Sequence, residues 1–95
     1  MSAQRFEDAE DAYLSWLERN PAGYVVNTRR RPDPSYAVLH RASCAAISTA
    51  HGNYTTTSYV KVCAPTVRAL ENWARTKLGG ALTRCSRCEA PPAEA

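Results

Sequence analysis

The chain carries Leu39-His40-Arg41-Ala42-Ser43-Cys44 and, about 40 residues further on, Cys85-Ser86-Arg87-Cys88, and its fold depends on whether these two runs meet. The pairs His40-x3-Cys44 and Cys85-x2-Cys88 each offer two metal-binding side chains from one short segment, the way tetrahedral zinc sites are assembled at small entropic cost. A separation of four places His40 and Cys44 on one face if their segment forms a helical turn. Closing the loop between the pairs costs a few kcal/mol, whereas zinc binding to finger peptides contributes roughly 10–16 kcal/mol at neutral pH, so the metal would be part of folding. The competing reading makes Cys44 a small buried apolar residue and gives His40 a local hydrogen bond. Cys63 ends an apolar strand and reads as a buried thiol outside the set, and His51, beside Gly52 in a polar loop, reads as solvated.

Upstream of the first pair, Phe6, Ala9, Tyr13, Trp16 and Leu17 recur at three- and four-residue spacing, which predicts an amphipathic helix over 6–19 with its acids in the first turns. Asn20, Pro21 and Gly23 stop it. A short strand is expected at 24–26, an exposed loop at 28–35, where three arginines and two prolines fall, and a second strand at 36–39 leading into His40. Downstream, 48–53 reads as a polar loop and 54–63 as the longest strand, with Val60 and Val62 alternating against Lys61. Pro65 opens a second helix whose inward face is Val67, Leu70, Trp73, Ala74 and Leu78, and Gly79-Gly80 ends it before the second pair. Trp16 and Trp73 are expected to pack the two helices on the sheet. Residues 89–95, with two prolines and three alanines, read as a disordered tail. The expected fold is a small zinc-stabilised α+β domain: a short three- to four-stranded sheet packed by two main α-helices. Residues 1–20 form its acidic helix and 21–88 its basic zinc-binding core.

Ninety-five residues suit one domain, and no apolar run approaches the roughly 18–20 residues that span a bilayer. Met1 to Asp11 holds Glu7, Asp8, Glu10 and Asp11 and lacks the basic start and apolar stretch of a secretory signal, which points to the cytoplasm and to thiolate ligands rather than disulfides. The formal charge of +3 conceals an asymmetry. From Asn20 to Cys88 ten bases face only Asp33 and Glu71, a balance of +8, while Arg5 and Arg19 are the only bases before residue 20. Zinc with three thiolates and a neutral imidazole alters that balance by only −1.

The run Leu39 to Cys44, a following strand, a helix near Pro65, the Gly-Gly stop and Cys85-Ser86-Arg87-Cys88 together resemble the metal-binding domain of the Ada DNA-repair protein. The likeness covers about residues 36–88. It implies that the first pair follows a strand, that the last pair follows a helix, and that His40, Cys44, Cys85 and Cys88 all ligate zinc. Two features depart from the family pattern. The stretch between the pairs looks longer, and His40 stands where that family has its methyl-accepting cysteine, so alkyl transfer is not implied. Modules with H-x3-C in place of C-x3-C resemble segments that accompany nucleases and other bacterial DNA-handling proteins, which implies DNA as the partner.

No nucleophile and base pair assembles from this sequence, and a zinc with four protein ligands has no open position to activate water, so a non-enzymatic binding module is expected. The expected partner is nucleic acid, DNA ahead of RNA, met by Arg29, Arg30, Arg31, Arg41, Lys61, Arg84 and Arg87 at phosphates, with Tyr36, Tyr54 and Tyr59 offering rings. The alternative is a protein-interaction adaptor that docks a partner on the N-terminal helix. It gains if the arginines at 29–31 pair with that helix's acids.

Overall fold

The structure, a computed structural model, describes residues 3–48 and 53–88, so the expected tail at 89–95 and His51 lie outside the described residues. Its elements are β1 (Gln4–Phe6), α1 (Glu10–Arg19), β2 (Tyr24–Arg29), β3 (Ala37–Arg41), α2 (Ala45–Ser48), β4 (Tyr59–Ala64), α3 (Val67–Trp73) and β5 (Thr83–Arg84). Directly after α3 the backbone widens into a π-helical segment, Ala74–Leu78. The α+β class is as expected. The sheet, however, has five strands in the order β1-β4-β2-β3-β5, all neighbours antiparallel except β3 and β5. The two additional strands are three and two residues long, too short for alternation to reveal.

The first helix begins four residues later than its periodicity suggests. Asp8 adopts φ 52°, a left-handed conformation that aspartate tolerates and that interrupts a helix. Its N–H donates to the Thr55 carbonyl at 2.7 Å and the Ala9 N–H to Thr55 Oγ1 at 3.0 Å, so this bend is anchored to the loop before β4. Phe6, which fits the helical pattern, instead lies in β1 beside Lys61 and still reaches the core, its ring 6.0 Å from that of Tyr13. The residues before β4 differ for a related reason. Glu10 accepts hydrogen bonds from the Tyr54 and Thr55 N–H groups and from Thr55 Oγ1, each at 2.8 Å, which holds 54–55 as a loop and delays β4 to Tyr59.

Helices cover both faces of the sheet. Tyr13, Trp16 and Leu17 of α1 and Ile47 of α2 pack with Val25 and Cys63 on one face. Val67 and Leu70 of α3 pack with Val26, Leu39, Val62 and Ala64 on the other. Thr66 caps α3, its side chain accepting from the Ala69 N–H at 3.2 Å. Gly23, in the connection between α1 and β2, lies close against the Trp16 ring. A Cβ there would lie 2.7 Å from Trp16 Cη2 and 3.2 Å from the carbonyl oxygens of Ala64 and Asn20. Gly23→Ala should therefore destabilise the protein by about 2 kcal/mol and lower Tm by roughly 10 °C in thermal denaturation. An unchanged Tm would mean that Trp16 moves aside freely.

Candidate metal centre

His40 is the fourth residue of β3, opposite Val25, and Val25 is in turn opposite Cys63. That register points His40 toward the α1 side and leaves Cys63 two strands away from it. The chain then turns. Cys44 donates its N–H to the Arg41 carbonyl at 2.9 Å and immediately precedes α2, so the H-x3-C pair spans a strand end and a turn rather than one helical turn. The second pair arrives through β5. Because β5 runs parallel to β3 with Leu39 aligned to Arg84, the residues that follow, His40 in β3 and Cys85 just past β5, come side by side. The Cys85 N–H donates to the Leu39 carbonyl at 2.8 Å, and Arg41 Nε donates to the Cys88 carbonyl at 3.0 Å, fixing the C-x2-C turn against β3.

One donor atom from each of His40, Cys44, Cys85 and Cys88 lies within 4.8 Å of the other three. For comparison, Zn–S bonds of about 2.3 Å in a tetrahedron imply sulfur separations of about 3.8 Å. All four cysteines of the chain are free thiols. His40 Nδ1 is buried and has no hydrogen-bond partner among the described residues. A buried imidazole nitrogen without a partner loses its hydration with nothing in return, unless a cation takes its lone pair.

The electrostatics fit ligation. Burial, assisted by the Lys61 charge, pushes His40 down to about 4, so its imidazole is neutral, the form that binds metals. Burial pushes Cys44 up to about 11 and its sulfur neighbours add to this, although the Ala46 N–H opposes them. Burial also raises Cys85, but the Cys88 and Arg87 backbone N–H groups aimed at its sulfur outweigh it, and the net shift is downward. The Arg41 N–H approaches Cys88 Sγ at 3.3 Å. Backbone donors thus face each of the three sulfurs, as anionic thiolates require. Cys63 has no such donor set; it is fully buried, which holds its thiol far above the usual range.

The residues expected at phosphates separate into different settings. Lys61 does not belong among them. It is only 4% exposed, and its Nζ donates to Asn27 Oδ1 and to the Tyr54 carbonyl, both at 2.8 Å, with the Tyr54 ring 5.5 Å away. The alternation around Lys61 predicts an outward side chain, but α1 and the 53–58 loop cover that face. Arg30 is engaged internally by Glu7 and Asp8 at 2.9 Å and by the Thr55 and Thr57 carbonyls. Arg29 pairs with Asp33 at 3.3 Å. Arg31, Arg41, Arg84 and Arg87 are exposed, and Arg31, Arg84 and Arg87 form no ion pair among the described residues.

No protein-family model matches the chain, and neither the curated proteins nor the solved structures yield a match. Among the described residues no helix is long and apolar enough to cross a membrane.

Proposed function

We propose that the protein is a non-enzymatic, cytoplasmic nucleic-acid-binding module whose C-terminal arm is locked to its sheet by one structural Zn2+ on His40, Cys44, Cys85 and Cys88. The observation that carries the metal is the convergence of one donor atom from each of the four residues, together with a buried His40 Nδ1 that has no hydrogen-bond partner among the described residues. Three sulfurs and one imidazole suit zinc, and four protein ligands close the site to substrate water. The metal would hold the ends of β3 and β5 together and neutralise the thiolates. Nucleic acid, DNA ahead of RNA, is supported by the exposed Arg84 and Arg87 on and beside the second ligand pair, with Arg41 between the first two ligands. The resemblance to the Ada metal-binding domain covers the spacing within each ligand pair but not the stretch between the pairs, with His40 in place of the alkyl acceptor.

A second reading, a protein-interaction adaptor, draws on one observation: Glu7 and Asp8 neutralise Arg30, which reduces the basic surface that sequence counting suggests. A salt titration distinguishes the two. The zinc-loaded protein should bind a labelled DNA at about 50 mM salt with an affinity that falls steeply as salt rises. Absence of association with any duplex or single strand at that salt would reject the nucleic-acid reading and leave the adaptor.

A further inference from the structure

At the end of the sheet away from the metal ligands, Arg29 of β2 stands opposite Tyr59 of β4, and Tyr36 immediately precedes β3 on the other side. Side chains two strands apart in one row are separated by about 9.5 Å at the backbone. Yet the rings of Tyr36 and Tyr59 lean across β2 until their centroids are 5.4 Å apart, tilted by 56°. The Arg29 guanidinium occupies the angle between them, 5.3 Å from one ring and 5.2 Å from the other. Asp33 holds its Nε edge at 3.3 Å, and the Asn27 amide donates to the Tyr36 hydroxyl at 3.1 Å, which fixes that ring. The Arg29 side chain nevertheless remains 44% exposed, and neither Nη nitrogen has a hydrogen-bond partner among the described residues.

We infer that Arg29, framed by Tyr36 and Tyr59, is a preformed phosphodiester-binding fork that supplies one backbone contact of the nucleic-acid surface. This rests on the nucleic-acid reading and adds a contact at the end of the sheet away from Arg41, Arg84 and Arg87. An arginine on a mobile stem loses rotamer freedom when it meets a phosphate; here the rings and Asp33 have already restricted it, and the Nη nitrogens remain without a partner among the described residues. Two parallel N–H donors match two phosphate oxygens, a geometry that lysine cannot reproduce. The rings act as positioning residues. Each presents a face to the guanidinium, so their contribution is to the orientation of Arg29 rather than to stacking on bases. Arg30, adjacent in sequence, has its guanidinium satisfied by carboxylates and carbonyls and does not share the role.

The test is anisotropy of a labelled DNA against the zinc-loaded protein over a salt series, with thermal melts of each variant. Arg29→Gln should weaken binding about tenfold and reduce the magnitude of the log–log salt slope by about 1, one phosphate contact's worth, with Tm preserved. Arg29→Lys should restore the slope but not the affinity, since the charge returns without the fork. Tyr59→Phe should bind like wild type, whereas Tyr59→Leu, which keeps Arg29 but removes its frame, should lose affinity several-fold with the slope unchanged. Wild-type binding that survives Arg29→Gln within twofold and at the same slope overturns this inference and leaves the nucleic-acid reading intact. Equal affinity of Tyr59→Leu and Tyr59→Phe overturns the positioning role. A wild-type protein that binds no nucleic acid overturns both the inference and the reading on which it rests.

Discussion

Treating the protein with a strong zinc chelator at neutral pH should abolish its cooperative unfolding transition, and restoring one equivalent of zinc should return it. The magnitude follows from comparison. Structural zinc contributes roughly 10–16 kcal/mol in finger peptides, and the net stability of a domain is about 5–15 kcal/mol, so loss of the ion removes as much as the fold has to spare. β5 contributes only two residues of pairing to hold the C-terminal arm on the sheet. Cys44→Ser and Cys88→Ser should reproduce the effect of chelation, because each leaves three ligands, whereas Cys63→Ala should retain one zinc per chain. Circular dichroism melts with elemental analysis measure both quantities. A metal-free protein that melts cooperatively at the wild-type Tm would refute the structural role of the ion.

The second large effect concerns Lys61. Burial pushes its amine down to about 8 from an ordinary 10.5, against the upward pull of Glu10 and of Cys63. The folded chain therefore releases this proton near pH 8 and the unfolded chain near 10.5. Between those values the unfolded state holds more protons, so the lysine's contribution to stability rises with pH. The buried thiol of Cys63 acts in the opposite direction there, since only the unfolded chain ionises it readily. A comparison with Lys61→Met removes most of that contribution and that of the metal, leaving the Lys61–Cys63 coupling as part of the difference. Methionine fills the volume of the lysine stem and leaves Asn27 Oδ1 and the Tyr54 carbonyl without their donor at every pH. Urea unfolding should show the stability of wild type minus that of Lys61→Met growing by about 3 kcal/mol from pH 7 to pH 10.5. A gap that is constant with pH would mean that the amine is hydrated in the folded protein.

The same lysine shows where the sequence stops being legible. Val60-Lys61-Val62 reads as a strand with one wet face, and the strand is there, but the reading assumes a sheet covered on one side. Both amphipathic helices were visible in the spacing of Tyr13, Trp16 and Leu17 and of Val67 and Leu70. What spacing does not encode is that they pack on opposite faces, which buries the residues of both parities in β4. A helix before the strand and another directly after it were the available signal. Phe6 shows a different limit: one left-handed residue, Asp8, converts the start of a helical pattern into an edge strand without changing which side chains are apolar. The four residues that cluster as candidate metal ligands were legible because their chemistry is local to two short runs. The strand that aligns those runs was not, because two residues carry no period.

That alignment also determines what the sheet exposes. Among the described residues β5 is the only strand over the outer edge of β3, and it stays there through a two-residue ladder and the Cys85–Cys88 turn that follows. Should that turn open, β3 would present unpaired N–H and C=O groups beside Val38 and Leu39, a template on which a strand from another molecule can pair. An ion on the proposed ligands would thus guard against self-association as well as unfolding, because it would hold β5 over the edge of β3.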